Sequence, residues 1–216
     1  MKFVMAYSGG KDCTLALDRM LRAGHTCVAL MVIVGIKGQY SYMHIFTRDV
    51  LEKFAESLGV PLILVPSKNK HDAAATLNAL RQAKELYGAE AVCSGDIDYE
   101  DARRWNESVA KEAGLQSFFP LWMEDRYKLL DELFERGFTC LFKVVDTSLL
   151  PEELLGQPLT RECIPLFEKS GVDVCGEKGE YHTITVDGPI FKKKIEFRYD
   201  RVYHNGKYCS LICDVL

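Results

Sequence analysis

The chain has 216 residues, of which 48% are hydrophobic and 27% charged, and its formal net charge is -4. With 7 prolines, 16 glycines and no low-complexity tract, the composition excludes a disordered or fibrous protein. A chain of this length buries enough surface to fold without disulfide bonds. The slight acidic excess gives no strong signal for nucleic-acid binding, which requires a basic surface.

The longest apolar run, residues 27–34, falls well short of the roughly 20 residues that a membrane-spanning helix needs. The N-terminal run 3–7 is too short for the core of a signal peptide. We therefore expect a cytoplasmic protein without a membrane segment. The 8 cysteines lie scattered, mostly inside apolar runs. This pattern predicts reduced core residues, and it gives little support to a four-ligand zinc or iron-sulfur site.

The first two-thirds of the chain alternate short apolar runs with segments of helical periodicity. Each predicted helix ends at a glycine, which is a common helix stop. Strand, helix and strand in regular succession are typical of a doubly wound, mostly parallel α/β sheet. The predicted strands are 3–7, 26–34, 62–65 and 91–94, and the predicted helices are 13–23, 43–58, 73–87 and 100–113, followed by a short apolar stretch at 118–122.

The pattern changes after residue 120 and predicts a smaller α+β unit at 121–216. Two extended runs close the chain, joined by Asn205-Gly206, a dipeptide favoured in tight hairpin turns. We expect them to form antiparallel strands. The elements predicted in this unit are a helix at 125–136, a strand at 139–145, a connector at 149–159, a short helix at 161–170 and extended runs at 196–203 and 207–215.

Residues 8–14, with the sequence Ser-Gly-Gly-Lys-Asp-Cys-Thr, join the first strand to the first helix. The two glycines let the backbone approach an anion, and the free amides and dipole of the helix N-terminus favour one. Asp12 suits a helix cap or a magnesium ion. The spacing does not match the phosphate loop of kinases and GTPases. The alternatives are a plain tight turn and a nucleophilic Cys13, although no base lies near Cys13 in the sequence.

The Ser-Gly-Gly-Lys-Asp segment resembles the pyrophosphate loop (PP-loop) of the ATP pyrophosphatases. The usual residue after the aspartate is serine, and the thiol of Cys13 is a weaker donor, for which Thr14 can compensate. Over nearly the whole chain, the sequence resembles the diphthine-ammonia ligase family, many members of which have Glu in place of His182. The motifs that carry this resemblance are 41–43, 95–97 with Arg103 and Glu107, 120–122, 175–183 and 187–191.

The resemblance implies a fold of the adenine nucleotide alpha-hydrolase type, in which residues 1–120 bind ATP and residues 121–216 bind the acceptor. It implies that ATP and Mg²⁺ are used, that a carboxylate is adenylated with release of pyrophosphate, and that ammonia then displaces AMP. Diphthine on elongation factor 2 is the implied acceptor in an archaeon or eukaryote, and an oligomer is compatible with the sequence. The alternatives are modification of a tRNA base and nucleotide binding without catalysis.

Residues 177–183 form a second polar cluster, ahead of an apolar run. Glu177 and Glu180 flank a glycine and are followed by His182, so that acid and base groups share one turn. With an ordinary pKa of about 6.5, His182 is expected to act as a base near neutrality. A solvated loop is the alternative. The predicted catalytic residues are Glu177, Glu180 and His182.

Gly95 and Asp96 follow a buried strand and are expected at the carboxyl edge of the sheet, where open sheets bind ligands. Asp96 is expected to orient Mg-ATP or the acyl acceptor, and the alternative is that it caps a helix. Asp12 is the predicted metal ligand. The predicted nucleotide-binding residues are Ser8, Gly9, Gly10, Lys11, Asp12, Cys13, Thr14, Met31, Gly95 and Asp96. The predicted substrate-binding residues are Ser41, Tyr42, Arg103, Glu107 and Thr183.

Overall fold

The structure, a computed structural model, describes residues 1–38, 40–42 and 44–216, without the side chains of Asp200 and Val215. A parallel sheet of five strands has the spatial order β3-β2-β1-β4-β5. Its strands are β1 (Lys2–Ala6), β2 (Thr26–Gly35), β3 (Leu62–Ser67), β4 (Ala91–Cys93) and β5 (Gln116–Phe118). The helices that connect them are α1 (Lys11–Arg22), α2 (Arg48–Leu58), α3 (Ala73–Tyr87) and α4 (Glu100–Glu112). The predicted α/β fold is therefore confirmed.

Alternate residues of each strand face opposite sides of this sheet, so that the sheet separates two hydrophobic cores. On one side, Val4 and Ala29 pack in a core with residues of α3 and α4. On the other side, Phe3 and Leu30 belong to a larger core with residues of α1 and α2, which extends to Phe142 beyond the first sheet. The two units thus share a core, and the division into domains at residue 120 stays a prediction.

A second, antiparallel sheet has the order β7-β6-β9-β8. The C-terminal hairpin is confirmed, but its two turn residues are Gly206 and Lys207, because Asn205 pairs with Tyr208. The elements of this part are α5 (Arg126–Glu135), β6 (Thr139–Asp146), 3-10 turns at Glu152–Leu154 and Arg161–Cys163, α6 (Ile164–Ser170), β7 (Tyr181–Asp187), β8 (Phe197–Asn205) and β9 (Tyr208–Val215).

Two further segments differ from the prediction. The helix predicted at 43–58 begins at Arg48, since Ser41 and Phe46 exchange backbone and side-chain hydrogen bonds that close a tight turn before it. Met43, the predicted first residue of that helix, lies outside the described residues. The short strand β5 overlaps the apolar stretch for which the sequence indicated no element type.

Among the helices that the structure describes, none is both long enough and apolar enough to cross a membrane.

The strand order reverses between β1 and β4, which are neighbours at the centre of the parallel sheet. From β1 the chain continues to β2 and β3 on one side and then returns to β4 and β5 on the other. The carboxyl ends of β1 and β4 therefore border a crevice of the kind in which open α/β sheets bind ligands. The loop 8–14 and Gly95 both lie at this edge.

Gly95 approaches the N-terminus of α1 closely. A Cβ atom on Gly95 would lie 2.7 Å from the backbone nitrogen of Cys13 and 2.8 Å from the carbonyl carbon of Asp12. Such separations are shorter than carbon atoms tolerate, so any larger residue would push β4 and the loop apart. The absence of a side chain at Gly95 thus fixes how closely the two halves of the crevice meet.

We expect Gly95→Ala to lower the free energy of unfolding by about 1 to 3 kcal/mol, because the added methyl group meets backbone atoms that cannot rotate away. Gly35→Ala is the matched control, since neither glycine has a positive φ and a Cβ on Gly35 would meet only the carbonyl oxygen of Tyr40, at 3.8 Å. Urea denaturation of both variants measures the difference. Equal stability of the two variants would contradict the close approach.

Candidate active site

The loop between β1 and α1 is shaped to hold an anion. Gly9 has a φ of +81°, and a Cβ there would lie 2.8 Å from the ring of Phe46, so this position requires glycine. Gly10 precedes the first turn of α1. Within the described part of the chain, the N–H groups of Asp12 and Cys13 have no hydrogen-bond partner. These amides lie at the positive end of the helix dipole, where a phosphate is stabilised.

Strand β7 is hydrogen-bonded directly to this loop. The backbone N–H of Lys11 donates to the Oγ1 of Thr183 at 3.0 Å, and the backbone N–H of Thr185 donates to the carbonyl oxygen of Gly9 at 2.9 Å. These two bonds join segments about 170 residues apart in sequence. They hold the turn before β7 beside the loop, which no local sequence pattern indicates.

Lys11 is a buried cation at the centre of this contact. Its side chain is 5% exposed, and its Nζ donates to both carboxylate oxygens of Asp12, at 2.9 and 2.8 Å, and to the carbonyl oxygen of Cys175. Burial alone would lower the pKa of Lys11, but the charge of Asp12 and the neighbouring Tyr181 hold it well above its ordinary value. Lys11 therefore stays charged at neutral pH.

Glu177, and not His182, is the group of the second cluster that titrates near neutrality. Reduced hydration, and next the negative charge of Asp12, raise the pKa of Glu177 to about 7. Burial, and next the positive charge of Lys11, lower the pKa of His182 to about 4. The expected pKa of His182 near 6.5 is therefore wrong, and its imidazole is neutral at physiological pH.

His182 packs edge-on against His44, with ring centroids 5.1 Å apart. His44 is 5% exposed, stacks on Phe46, and has a buried Nδ1 without a hydrogen-bond partner among the residues that the structure describes. Burial, and next His182, lower its pKa well below the ordinary value. Two neutral imidazoles therefore lie beside the positively charged Lys11.

Asp96 lies at the other side of the loop, after β4. Its Oδ2 accepts hydrogen bonds from the Ser94 hydroxyl at 2.6 Å and from the Asn106 amide at 3.0 Å. Burial raises the pKa of Asp96, and the negative charge of Asp12 adds to the rise. Asp96 and Asp12 are thus two neighbouring carboxylates at the mouth of the crevice.

Three residues predicted to contact ligands also support the loop or the core, and their binding roles stay predictions. Thr14 is buried, and its hydroxyl donates to the carbonyl oxygen of Gly10 at 2.8 Å. Met31 is 6% exposed and its side chain packs in a hydrophobic core. Ser41 is buried and its Oγ accepts the N–H of Phe46 at 3.0 Å.

The side chain of Cys13 also stabilises the loop through hydrogen bonds within it. Its Sγ accepts from the hydroxyl of Ser8 at 3.3 Å and donates to the carbonyl oxygen of Gly10 at 3.2 Å. Burial raises the pKa of the Cys13 thiol, and a protonated thiol is a poor nucleophile. The nucleophilic alternative for Cys13 therefore has no support in this structure.

Glu180 is placed differently from Glu177, although both were predicted to be catalytic. It is 4% exposed, and its two carboxylate oxygens accept the backbone N–H groups of Asp173 and Lys178, both at 3.0 Å. A carboxylate engaged in this way stabilises the turn. These bonds favour a structural role for Glu180, while its predicted part in proton transfer stays a prediction.

The remaining substrate-binding candidates lie on α4, on β7 and in the loop after β2. On α4, Arg103 forms an ion pair with Glu107 at 2.8 Å, and its guanidinium lies 4.6 Å from the ring centroid of Trp122. The Tyr42 hydroxyl donates to the carbonyl oxygen of Ser67 at 2.8 Å. Among these candidates only Thr183 is hydrogen-bonded to the loop 8–14.

No sequence pattern indicated two charged residues that lie near the loop. Arg126 at the start of α5 pairs with Asp98 at 2.5 Å and with Asp173 at 3.1 Å, and its charge acts on Glu177. Lys143 of β6 is buried, and its ammonium donates to the carbonyl oxygen of Leu211. Neither residue belongs to a local motif, so only a three-dimensional structure reveals them.

A family model of the diphthamide synthase N-terminal domain matches residues 1–117, and a model of the C-terminal domain of the same family matches residues 125–213. The chain belongs to the diphthamide synthase family. The family resemblance noted in the sequence is thereby confirmed over nearly the whole chain.

Curated relatives within the diphthamide synthase family are diphthine–ammonia ligases. Those of Bos taurus and Homo sapiens are each 33% identical over 221 residues, which is 90% of this chain and 82% of each relative. The ligase of Schizosaccharomyces pombe is 30% identical over 98% of this chain and 39% of its own length.

Among solved structures, a predicted subunit of a tRNA methyltransferase from Methanocaldococcus jannaschii is 16% identical. It has a TM-score of 0.46 and covers 90% of this chain and 100% of its own. A likeness at this level carries no argument about function.

The lowered pKa of His182 predicts a pH dependence of stability for this member of the diphthamide synthase family. Between about pH 6.5 and 4, the unfolded state binds a proton at this position that the folded state excludes. Stability is therefore lost as the pH falls through this window. We expect His182→Gln to flatten the dependence, by up to about 1.4 kcal/mol per pH unit.

Urea denaturation between pH 4.5 and 7 measures this slope, with the exposed His71→Gln as the matched control. Glu177 contributes to the pH dependence of stability with the opposite sign. This contribution is the same in the parent, in His182→Gln and in His71→Gln, so it cancels when their slopes are compared. An identical slope for His182→Gln and the parent would show that the His182 imidazole is not buried in its neutral form.

Proposed function

We propose that this chain is an ATP-dependent ligase that converts the carboxylate of diphthine on elongation factor 2 to the amide, with ammonia as the nitrogen donor. Membership of the diphthamide synthase family and the names of its curated relatives support the ligase class. The observation that carries the assignment of the site is the pair of hydrogen bonds by which β7 joins the turn at Glu177 to the loop at Lys11.

The loop 8–14 is suited to stabilise pyrophosphate as a leaving group. Among the described residues, the amides of Asp12 and Cys13 lack hydrogen-bond partners, and the charged side chain of Lys11 lies in the same turn, so these donors are oriented before the reaction begins. Preorganised donors of this kind stabilise the charge that develops as the acceptor carboxylate attacks the α-phosphorus. The bond to pyrophosphate breaks, and an acyl-adenylate forms.

Asp96 is the residue that best fits a magnesium ion, and Asp12 would join it by giving up a hydrogen bond from Lys11. Mg²⁺ prefers oxygen ligands and is commonly bound by one or two carboxylates together with substrate phosphates. Among the described residues, the Oδ1 of Asp96 accepts no hydrogen bond, and the charge of Asp12 reaches Asp96. When bound there, Mg²⁺ would neutralise part of the phosphate charge.

Glu177 is the group best placed to accept a proton in the second half-reaction. Attack of ammonia on the acyl carbon leaves an excess proton on the nitrogen, which must be removed as AMP departs. A carboxylate whose pKa is about 7 can accept that proton and release it at physiological pH. The neutral His182 and His44 near Lys11 would exclude water from the acyl-adenylate and leave the charge of Lys11 in place.

The first test replaces Glu177. We expect Glu177→Gln to lower amide formation at least about 100-fold, the size of a general-base contribution, while ATP affinity changes less than about twofold. Amide product is measured by mass spectrometry of the acceptor, and AMP and pyrophosphate by chromatography. The exposed Glu153→Gln is the matched control.

The pH dependence makes this test specific. At a constant concentration of free NH₃, the parent rate is expected to rise with pH through about 7, because only the ionised Glu177 accepts a proton, and the rise is expected to vanish in Glu177→Gln. An unchanged profile would exclude Glu177 as the base, and ADP in place of AMP would exclude the proposed reaction class.

The second test replaces the buried cation. We expect Lys11→Met, which keeps the aliphatic stem and removes the charge, to weaken ATP binding at least tenfold, which corresponds to about 1.4 kcal/mol. Calorimetry measures the affinity, and thermal unfolding shows whether the variant is folded. Lys178→Met, on the neighbouring turn and exposed, is the control. Normal ATP affinity in a folded Lys11→Met protein would remove the loop from the nucleotide site.

A further inference from the structure

A second cluster of reactive side chains lies at the end of the β8–β9 hairpin, away from the loop 8–14. Glu152 belongs to a 3-10 turn, His204 lies near the end of β8, and Cys209 lies near the start of β9. The Oε2 of Glu152 is 3.0 Å from the Nε2 of His204 and accepts the thiol of Cys209 at 3.3 Å. One atom from each of the three side chains lies within 4.8 Å of the other two.

The backbone holds these three residues in fixed positions. His204 and Cys209 are paired across the hairpin, and Cys209 is also paired with Val145 of the neighbouring strand β6. The connector that leads to Glu152 is tied to the hairpin by Thr147, whose N–H and hydroxyl donate to the carbonyl oxygen of Lys207 at 2.8 and 2.9 Å. The backbone therefore holds the three side chains close together before an ion binds.

The three side chains differ in solvent exposure, as expected for an ion site that is open to solvent on one side. The side chains of Glu152 and His204 are 44% and 59% exposed, whereas Cys209 is 1% exposed. Solvent and ions can thus reach the carboxylate and imidazole from outside, and the sulfur closes the inner side. Within the described part of the chain, none of these three side chains forms a hydrogen bond with the loop 8–14 or with Glu177.

We propose that Glu152, His204 and Cys209 bind one zinc ion. Thiolate, imidazole and carboxylate are the protein ligands that Zn²⁺ prefers, and three of them with water in the fourth position make a tetrahedral site. The mixed sulfur, nitrogen and oxygen set does not suit Mg²⁺ or Ca²⁺, which take oxygen ligands. On binding, the Cys209 thiol releases its proton, and bonds to the ion replace the hydrogen bonds at Glu152.

The distances permit this exchange with small movements. Zinc bonds of about 2.0 to 2.3 Å at tetrahedral angles place neighbouring ligand atoms about 3.3 to 3.6 Å apart. The two separations that involve Glu152, 3.0 and 3.3 Å, differ from this range by a few tenths of an ångström, and the ligand atoms of His204 and Cys209 lie within 4.8 Å of each other and would move closer together. The ion would link the connector to the hairpin across more than 50 residues of sequence, so we assign it a structural role.

Zinc and cobalt titrations of the full chain test the proposal. We expect one Zn²⁺ per chain in competition with a chromophoric chelator, a thiolate-to-metal absorption band with Co²⁺, and no loss of that band when Mg²⁺ is added in excess. His204→Ala, Glu152→Gln and Cys209→Ser are each expected to weaken Zn²⁺ binding at least tenfold, and Cys209→Ser to abolish the cobalt band. The matched controls are His71→Ala, Glu153→Gln and Cys163→Ser.

Thermal unfolding supplies an independent measurement, because an ion that binds only the folded chain raises the unfolding midpoint. Zn²⁺ is expected to raise the midpoint of the parent and of the three controls, but not that of His204→Ala or Glu152→Gln. These two positions are exposed, so both variants are expected to fold even if Cys209→Ser does not. Persistence of the cobalt band in Cys209→Ser, or equal Zn²⁺ affinity in the parent and His204→Ala, would overturn the proposal.

Discussion

Two hydrogen bonds between β7 and the phosphate loop determine how this protein brings its chemical groups together. Thr183 accepts the N–H of Lys11, and Thr185 donates to the carbonyl oxygen of Gly9. The first sheet by itself presents an anion site at the reversal of its strand order, and the second sheet adds the turn with Glu177. Because both bonds lie in a buried contact, breaking either would leave an unsatisfied polar group.

The charge of Lys11 and that of Asp12 set the protonation states around this contact. Lys11 stays charged because Asp12 compensates for its burial. Its positive charge adds to the effect of burial on His182 and keeps that imidazole neutral, whereas the negative charge of Asp12 adds to the effect of reduced hydration on Glu177 and raises its pKa. Within this ion pair, the cation lowers the pKa of a histidine and the anion raises the pKa of a carboxylate. The two groups therefore have different protonation states and different chemical roles.

Several polar residues that looked chemically active in the sequence are used to hold geometry. Thr14 and Ser41 bind backbone groups of their own loops, and Glu180 accepts two backbone amides of the turn that carries Glu177. Residues of this kind are predicted as ligands because hydroxyl and carboxylate groups serve both purposes. Burial and hydrogen-bond partners distinguish the two uses, and neither can be read from residue type.

The sequence by itself determined the parallel sheet, the glycine loop between β1 and α1 and the C-terminal hairpin, because apolar periodicity, glycines and turn residues act over a few neighbouring positions. The family also followed from motifs along the chain. Only the tertiary structure decided that the pKa of Glu177 is raised, that His44 and Lys143 are buried, and that Glu152 meets the hairpin. These properties arise from burial and from charges across space between segments far apart in sequence, and residue order does not specify such distances.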